Sequence, residues 1–186
     1  MIGQGEPFLV DMVGDRLIVW DHESSRQLYK MGYFGKPVGI PKPKDFSFDA
    51  PLSLDLIEGL YLLKRGIIRV FSGKRELNAT ALQRIASRLH EGFSMKYIVY
   101  EDLRKKDYVV TPGIKFGCDF AVYEFGPGID HAPFLILVLD EEDFMTAPDL
   151  VRAGRLATTV KKRFVFAVVK KARSEVTYLV SKWWKA

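Results

Sequence analysis

The chain has 186 residues, a formal net charge of +5 and 48% hydrophobic residues, which is enough apolar material for one medium-sized domain or two small ones. Its single cysteine, Cys118, excludes an intramolecular disulfide, and its three histidines lack the spacing of zinc ligands. No apolar run approaches the length of a membrane span, and the N-terminus lacks a signal-peptide pattern, so we expect a cytoplasmic protein.

The first half of the chain predicts a mixed α/β domain. Residues 8–20 contain two short apolar runs around a turn, which is typical of paired strands. The stretch 36–51 is rich in proline and lysine and predicts an extended surface loop. A helix capped by Ser53 is expected next, followed by a strand at 67–71 and a second helix capped by Asn78.

The second half predicts a strand-rich domain. Gly92 interrupts the chain, and we place the boundary there, between domains 1–92 and 93–186. A third helix is expected at the start of the second domain, and a fourth over about 148–161. The predicted strands of this domain cover residues 108–111, 118–125, 134–140, 164–170 and 176–184. This order of elements predicts an α/β (α+β) chain of two small domains.

Three polar side chains of the second domain suggest a chemistry. Tyr123 and His131 lie eight residues apart across a Gly-Pro-Gly turn, and Lys162 lies in a basic run between a predicted helix and strand. RNA cleavage without a metal needs a base, an acid and a fixed cation. Histidine transfers protons near neutral pH, whereas a phenol, with a pKa of about 10, needs a nearby cation to act as a base. Strand alternation places Asp119 and Tyr123 on one face, which we expect to be polar.

A purely structural explanation of the same residues is also available. Tyrosines are common in strands, and this chain has eight. A loop histidine is usually a solvated side chain, and a basic run at the end of a helix complements the helix dipole. On spacing alone, the structural explanation is preferred.

A wider pattern favours the catalytic explanation. The residues Lys115-Phe116-Gly117, Asp119-Phe120 and Tyr123 are followed by His131 and then by a helix containing Arg155 before Lys162. This series resembles the catalytic domain of archaeal tRNA-splicing endonucleases. The segments 14–21, 52–63 and 96–110 are also similar to that family, so the resemblance covers nearly the whole chain.

The resemblance implies a fold and a reaction. The fold would be an N-terminal α/β domain and a C-terminal nuclease-like domain with a central mixed sheet flanked by helices. Tyr123 would be the general base, His131 the general acid and Lys162 the group that stabilises the transition state. The substrate would be precursor tRNA with a bulge-helix-bulge, cleaved to a 2′,3′-cyclic phosphate and a 5′-hydroxyl without metal or other cofactor.

The resemblance also implies RNA-binding residues. Arg155 would stack on an extruded bulge base, and Trp183 or Trp184 would replace the second arginine of the family. The alternative is that a tryptophan packs in a subunit interface. The Pro/Lys-rich loop is longer than in compact family members, so Lys42 and Lys44 are expected to contact RNA. The alternative is a solvated surface loop.

Family members act as assemblies of four units. This chain keeps all three catalytic side chains, and its longer loop favours a heterotetramer with two structural subunits over a homotetramer. The acidic residues 140–143 and the C-terminal strand are candidate assembly elements. The alternative functions are a non-catalytic RNA-binding or structural subunit of the same complex and, less well matched, a metal-dependent DNA nuclease. The latter needs paired carboxylates near a lysine, and Asp119 has no clear Glu-x-Lys partner.

Overall fold

The computed structural model describes residues 6–41, 43, 45–129, 132–159 and 161–181. The chain divides into two compact units, one ending at Phe93 and the other beginning at Ser94. Both combine helices with one mixed sheet, which confirms the predicted α/β class. Within the described ranges, no helix combines the length and the apolar character needed to cross a membrane.

Among its described residues, the N-terminal unit has three helices and a six-stranded sheet of order β3-β4-β2-β1-β5-β6, in which only β1 and β5 pair in parallel. Its elements are β1 Phe8–Val13, β2 Arg16–Val19, α1 His22–Gly32, β3 Lys36–Pro37, β4 Leu52–Asp55, α2 Leu56–Lys64, β5 Ile68–Ser72, β6 Arg75–Leu77 and α3 Ala79–Leu89. The predicted strand pair at 8–20 and the Asn78 cap are both confirmed.

The start of the second helix was predicted wrongly. Ser53 lies inside β4, and Asp55 is the N-cap of α2. The buried Glu58 holds this junction, because its carboxylate accepts bonds from Asp55 N at 2.9 Å and from Gly35 N at 3.0 Å. The helix α1 was not predicted, because few of its residues are apolar enough to form a clear stripe.

The Pro/Lys-rich loop is anchored at both ends. At its base, β3 pairs with β4, and Val38 N donates to Pro51 O at 2.9 Å. Near its other end, the ring centroids of Phe46 and Phe48 lie 5.8 and 5.4 Å from that of Tyr29 on α1. Phe48 is buried, so this end of the loop belongs to the core rather than to the predicted surface stretch.

The described part of the C-terminal unit contains a five-stranded sheet of order β11-β10-β9-β8-β7, in which only β9 and β10 pair in parallel. Its elements are α4 Phe93–Lys105, β7 Val109–Pro112, β8 Phe120–Tyr123, β9 Phe134–Asp140, α5 Ala147–Thr159, β10 Arg163–Lys170 and β11 Glu175–Ser181. One-turn 3-10 helices lie at Ile114–Phe116 and Lys171–Arg173. The sheet is therefore the mixed central sheet that the resemblance implied.

Helices cover both faces of this sheet. On one face lies a core cluster that includes Ala153 of α5, and its buried members are Cys118, Ala121, Ala132, Leu135, Ala153, Phe164 and Phe166. On the other face, the ring of Phe120 lies 6.0 Å from that of Tyr100 on α4. The buried Arg104 of α4 also donates to the Tyr100 hydroxyl at 3.0 Å and to Val110 O at 3.3 Å. The central strands are thus held on both sides, which gives a rigid support for side chains at their ends.

Candidate active site

Three strand ends meet at one edge of the C-terminal sheet. β8 ends at Tyr123, while β9 begins at Phe134. Val122 pairs with Phe134 in the antiparallel register, and Arg163, the first residue of β10, pairs with Phe134 in the parallel register. Tyr123 and Lys162 therefore lie at the same edge, beside the segment that enters β9.

Lys162 is bound to the segment that precedes β9. Its Nζ donates to Ala132 O at 2.6 Å, and the next residue of the chain, Arg163, donates from its backbone N to Pro133 O at 2.8 Å. His131, the predicted general acid, directly precedes Ala132 but lies outside the described residues. The Lys162 ammonium is therefore bound to the backbone of Ala132, the residue that follows His131 in the chain.

The face that carries Tyr123 is not polar, so that prediction was wrong. Tyr123 is half-buried and packs against the core cluster, together with Ala121, which is 1% exposed. Asp119 does not share this environment, because its carboxylate accepts a bond from Val138 N at 2.8 Å and pairs with Lys96 Nζ at 3.0 Å. The difference arises because α5 covers this face, whereas alternation alone cannot show whether a strand face is covered.

Asp119 and Cys118 both have contacts within the C-terminal unit. The Asp119 carboxylate is engaged by a backbone N–H and an ion pair, and the part of the chain that the structure describes contains no group of three His, Cys, Asp or Glu side chains able to hold a metal ion. Burial, and secondarily the Asp119 charge, raises the pKa of the Cys118 thiol to about 11. The thiol is therefore protonated near neutral pH and packs as a small apolar side chain, as its position in the sequence predicted.

The predicted RNA-binding residues are only partly described. Arg155 is exposed on α5, while Ala153 and Leu156 of the same helix contact the core cluster. The turn after α5 places Lys161 in the left-handed region at φ +52° and leads directly to Lys162. The remaining predicted residues, Lys42, Lys44, Trp183 and Trp184, lie outside the described residues.

One aromatic side chain beside Lys162 was not predicted from the sequence to belong to the site. The Nζ of Lys162 lies 5.6 Å from the centroid of the Phe116 ring. Phe116 belongs to the 3-10 turn between β7 and β8, and its ring packs at the edge of the core cluster. It stands in the Lys-Phe-Gly triplet that carried part of the resemblance, but nothing in the spacing indicates which cation it contacts.

Comparison with known proteins defines the class of this two-domain chain. Residues 93–178 match the model of the catalytic C-terminal domain of tRNA intron endonuclease, and residues 10–82 match the model of its N-terminal domain. The chain therefore belongs to the tRNA intron endonuclease family.

Curated relatives agree with this assignment along almost their full length. A tRNA-splicing endonuclease of Hyperthermus butylicus is 44% identical over 94% of this chain and 97% of its own. Proteins of the same name from Sulfurisphaera tokodaii and Sulfolobus acidocaldarius are 40% and 37% identical over 94% of this chain, with 98% and 97% of their own lengths covered.

Proposed function

We propose that this chain is a catalytic subunit of a tRNA-splicing endonuclease that acts in the cytoplasm. It cleaves precursor tRNA at the splice sites of a bulge-helix-bulge by attack of a ribose 2′-hydroxyl, without a metal ion or other cofactor. The products carry a 2′,3′-cyclic phosphate and a 5′-hydroxyl. The observation that carries this proposal is the convergence of Tyr123, Lys162 and the segment next to His131 at one sheet edge, in a chain of this family.

Each of the three side chains performs one part of the reaction. Tyr123, as its phenolate, takes the proton of the 2′-hydroxyl and becomes a phenol, and the 2′-oxygen forms a new bond to phosphorus. His131 gives a proton to the 5′-oxygen as its bond to phosphorus breaks. Lys162 stabilises the additional negative charge on the phosphorane. Its position supports this role, because the bond to Ala132 O holds the ammonium at the sheet end where Tyr123 also lies, and an ammonium has three N–H groups to donate.

RNA is bound by residues of both units. Arg155 stacks on an extruded bulge base, with Trp183 or Trp184 on the opposite face of the base. The exposure of Arg155 on a helix whose other side is packed supports this role. Lys42 and Lys44 contact phosphates from the Pro/Lys-rich loop, and the anchored ends of that loop support this role.

The active assembly is a heterotetramer with two structural subunits, and a homotetramer is the alternative. Two surfaces of the C-terminal unit support association. β11 is the last strand in the sheet order, and its residues Leu179 and Val180 are about half exposed. Glu141 and Glu142 are also exposed, in the acidic turn after β9.

The metal requirement provides the direct test of the proposed function. Purified chain mixed with intron-containing precursor tRNA in excess EDTA, with and without a candidate structural subunit, should release the intron. The new ends should be a 2′,3′-cyclic phosphate and a 5′-hydroxyl. The 5′-hydroxyl end should accept a phosphate from a polynucleotide kinase without prior dephosphorylation, and the cyclic phosphate should resist a phosphatase that removes phosphate monoesters. A His131→Ala protein should bind the same RNA without cutting it. Loss of cleavage in EDTA that Mg²⁺ restores would instead favour a metal-dependent nuclease.

The loop lysines determine how many substrates are accepted. Lys44→Ala should leave the melting temperature unchanged and reduce the cleavage of some bulge geometries by about 5- to 50-fold, as expected for the loss of one charge-assisted phosphate contact. Lys74→Ala, in the exposed turn between β5 and β6, removes a similar charge from the same unit and is the control. Equal single-turnover rates of the Lys44→Ala and Lys74→Ala proteins on a panel of intron-containing RNAs would contradict the role of the loop.

A further inference from the structure

We propose that Phe116 is a positioning residue that holds the Lys162 ammonium over its ring, in the place where the proposed reaction needs a cation. The inference rests on the proposed role of Lys162. It concerns an interaction between two segments that are far apart in the sequence, the 3-10 turn before β8 and the turn that leads into β10.

Phe116 is fixed by a tight turn. Its backbone N donates to Gly113 O at 2.8 Å, and Gly117 N donates to Ile114 O at 3.1 Å. A Cβ at Gly113 would lie 2.5 Å from Cys118 Sγ and 2.8 Å from Phe120 N, so the chain can close this turn only with glycine there. The Phe116 ring then packs against the core cluster, which prevents it from following the movements of Lys162.

Lys162 has two contacts that together define the position of its charge. Ala132 O accepts a bond from Nζ at 2.6 Å, and the Phe116 ring centroid lies 5.6 Å from Nζ. An ammonium within about 6 Å of a ring centroid is attracted by the negative face of the ring. A lysine side chain has four rotatable bonds, and a second contact reduces the conformations in which its charge would miss the phosphate.

The size of the effect follows from the exposure of the pair. Lys162 is half-buried, so we expect the strength of its cation–π interaction to lie between the values for fully exposed and fully desolvated pairs. Cation–π contacts in this range correspond to roughly 2- to 30-fold in an equilibrium or rate constant. Because the negative charge on the phosphorane oxygens increases in the transition state, we expect the effect in the rate of cleavage rather than in the affinity for RNA.

The first experiment compares three variants under single-turnover conditions with enzyme in excess. Phe116→Leu keeps an apolar side chain but removes the ring, and it should cut about 3- to 30-fold more slowly with an RNA dissociation constant within about twofold of the parent. Phe116→Tyr keeps the ring and should cut within about twofold of the parent. Ile114→Ala changes the same turn at a side chain that is 80% exposed and should have no effect.

Fluorinated phenylalanines at position 116 separate positioning from packing. One, two and three ring fluorines progressively weaken the negative face of the ring with little change in shape, so the logarithm of the cleavage rate should fall with each fluorine. A flat series, or a Phe116→Leu rate equal to that of the parent, would overturn the inference. This series also remains informative if Phe116→Leu fails to fold.

A Lys162→Met protein distinguishes failure of this inference from failure of the proposed function. If Lys162→Met cuts at the parent rate, Lys162 is not the catalytic cation, and the proposed function and the inference both fail. If Lys162→Met cuts about 10²- to 10³-fold more slowly while the fluorinated series is flat, the proposed role of Lys162 stands and only the inference fails. If Lys162→Met is slowed to that extent and the rate also falls along the series, both stand.

Discussion

Tyr123→Phe is expected to slow the cleavage of precursor tRNA by about 10²- to 10⁴-fold, because general base catalysis contributes about that much to a proton transfer. Tyr123 is half-buried and its ring packs against the core cluster, a packing that phenylalanine keeps. Single-turnover rates and the RNA dissociation constant should place the loss in the rate of cleavage, while the melting temperature measures what the hydroxyl contributes to stability.

Tyr178 provides the matched control for Tyr123. It lies on β11 of the same sheet, and its hydroxyl donates to the Asp102 carboxylate at 2.6 Å. Burial and this carboxylate raise the pKa of Tyr178 above its ordinary value, so the phenol is a poor candidate for a base. Tyr178→Phe should lower the free energy of unfolding by about 1 kcal/mol and leave the cleavage rate unchanged. Similar rates for Tyr123→Phe and Tyr178→Phe would remove Tyr123 from the reaction.

Lys162→Met is expected to lower the rate of cleavage by about 10²- to 10³-fold, as is typical when one preorganised donor to a transition-state charge is removed. Methionine keeps an unbranched apolar stem but loses the ammonium and its bond to Ala132 O. The loss of this bond also removes one contact to the segment that precedes β9, which the bond from Arg163 N to Pro133 O still holds. Pre-steady-state cleavage and equilibrium binding, measured on the same RNA, separate an effect on the rate of cleavage from an effect on the affinity for RNA.

Lys161 is the natural comparison for Lys162. It is the preceding residue and is exposed, so Lys161→Met changes the formal charge equally without touching the sheet edge. Any general electrostatic effect on RNA binding should appear in both variants, while the loss of rate should be confined to Lys162→Met. If the two variants were equally slow, the charge of the basic run would matter rather than the particular position of Lys162.

Much of the fold could be predicted because local patterns were strong. Asn78 caps its helix as expected, and the apolar runs at 134–140 and 164–170 form β9 and β10. The start of α2 was misplaced because Ser53 and Asp55 are both good caps, and the choice depends on strand pairing. Leu52 and Leu54 are buried in β4, which pairs with β2, so the chain stays extended until Asp55.

The candidate site residues were proposed from the sequence, whereas the surroundings of Tyr123 and Lys162 became visible only in the structure. Tyr123, His131 and Lys162 were proposed from a pattern of residue types, and the strand registers place Tyr123 and Lys162 at one edge. The face of β8 that carries Tyr123 is covered by α5, which begins more than twenty residues later in the chain. No local periodicity reports whether a distant helix packs on a strand.

The sequence by itself determined which functional groups are available, because the phenol, the imidazole and the ammonium are properties of its residues. The pattern of residues around those groups determined the family. The tertiary structure decided what surrounds those groups. The parallel pairing of β9 and β10 brings Lys162 to Ala132 O across thirty residues, and the glycine-dependent turn before β8 presents Phe116 to the same ammonium. Such contacts depend on sheet register and on the packing of segments far apart in sequence, which only the folded chain specifies.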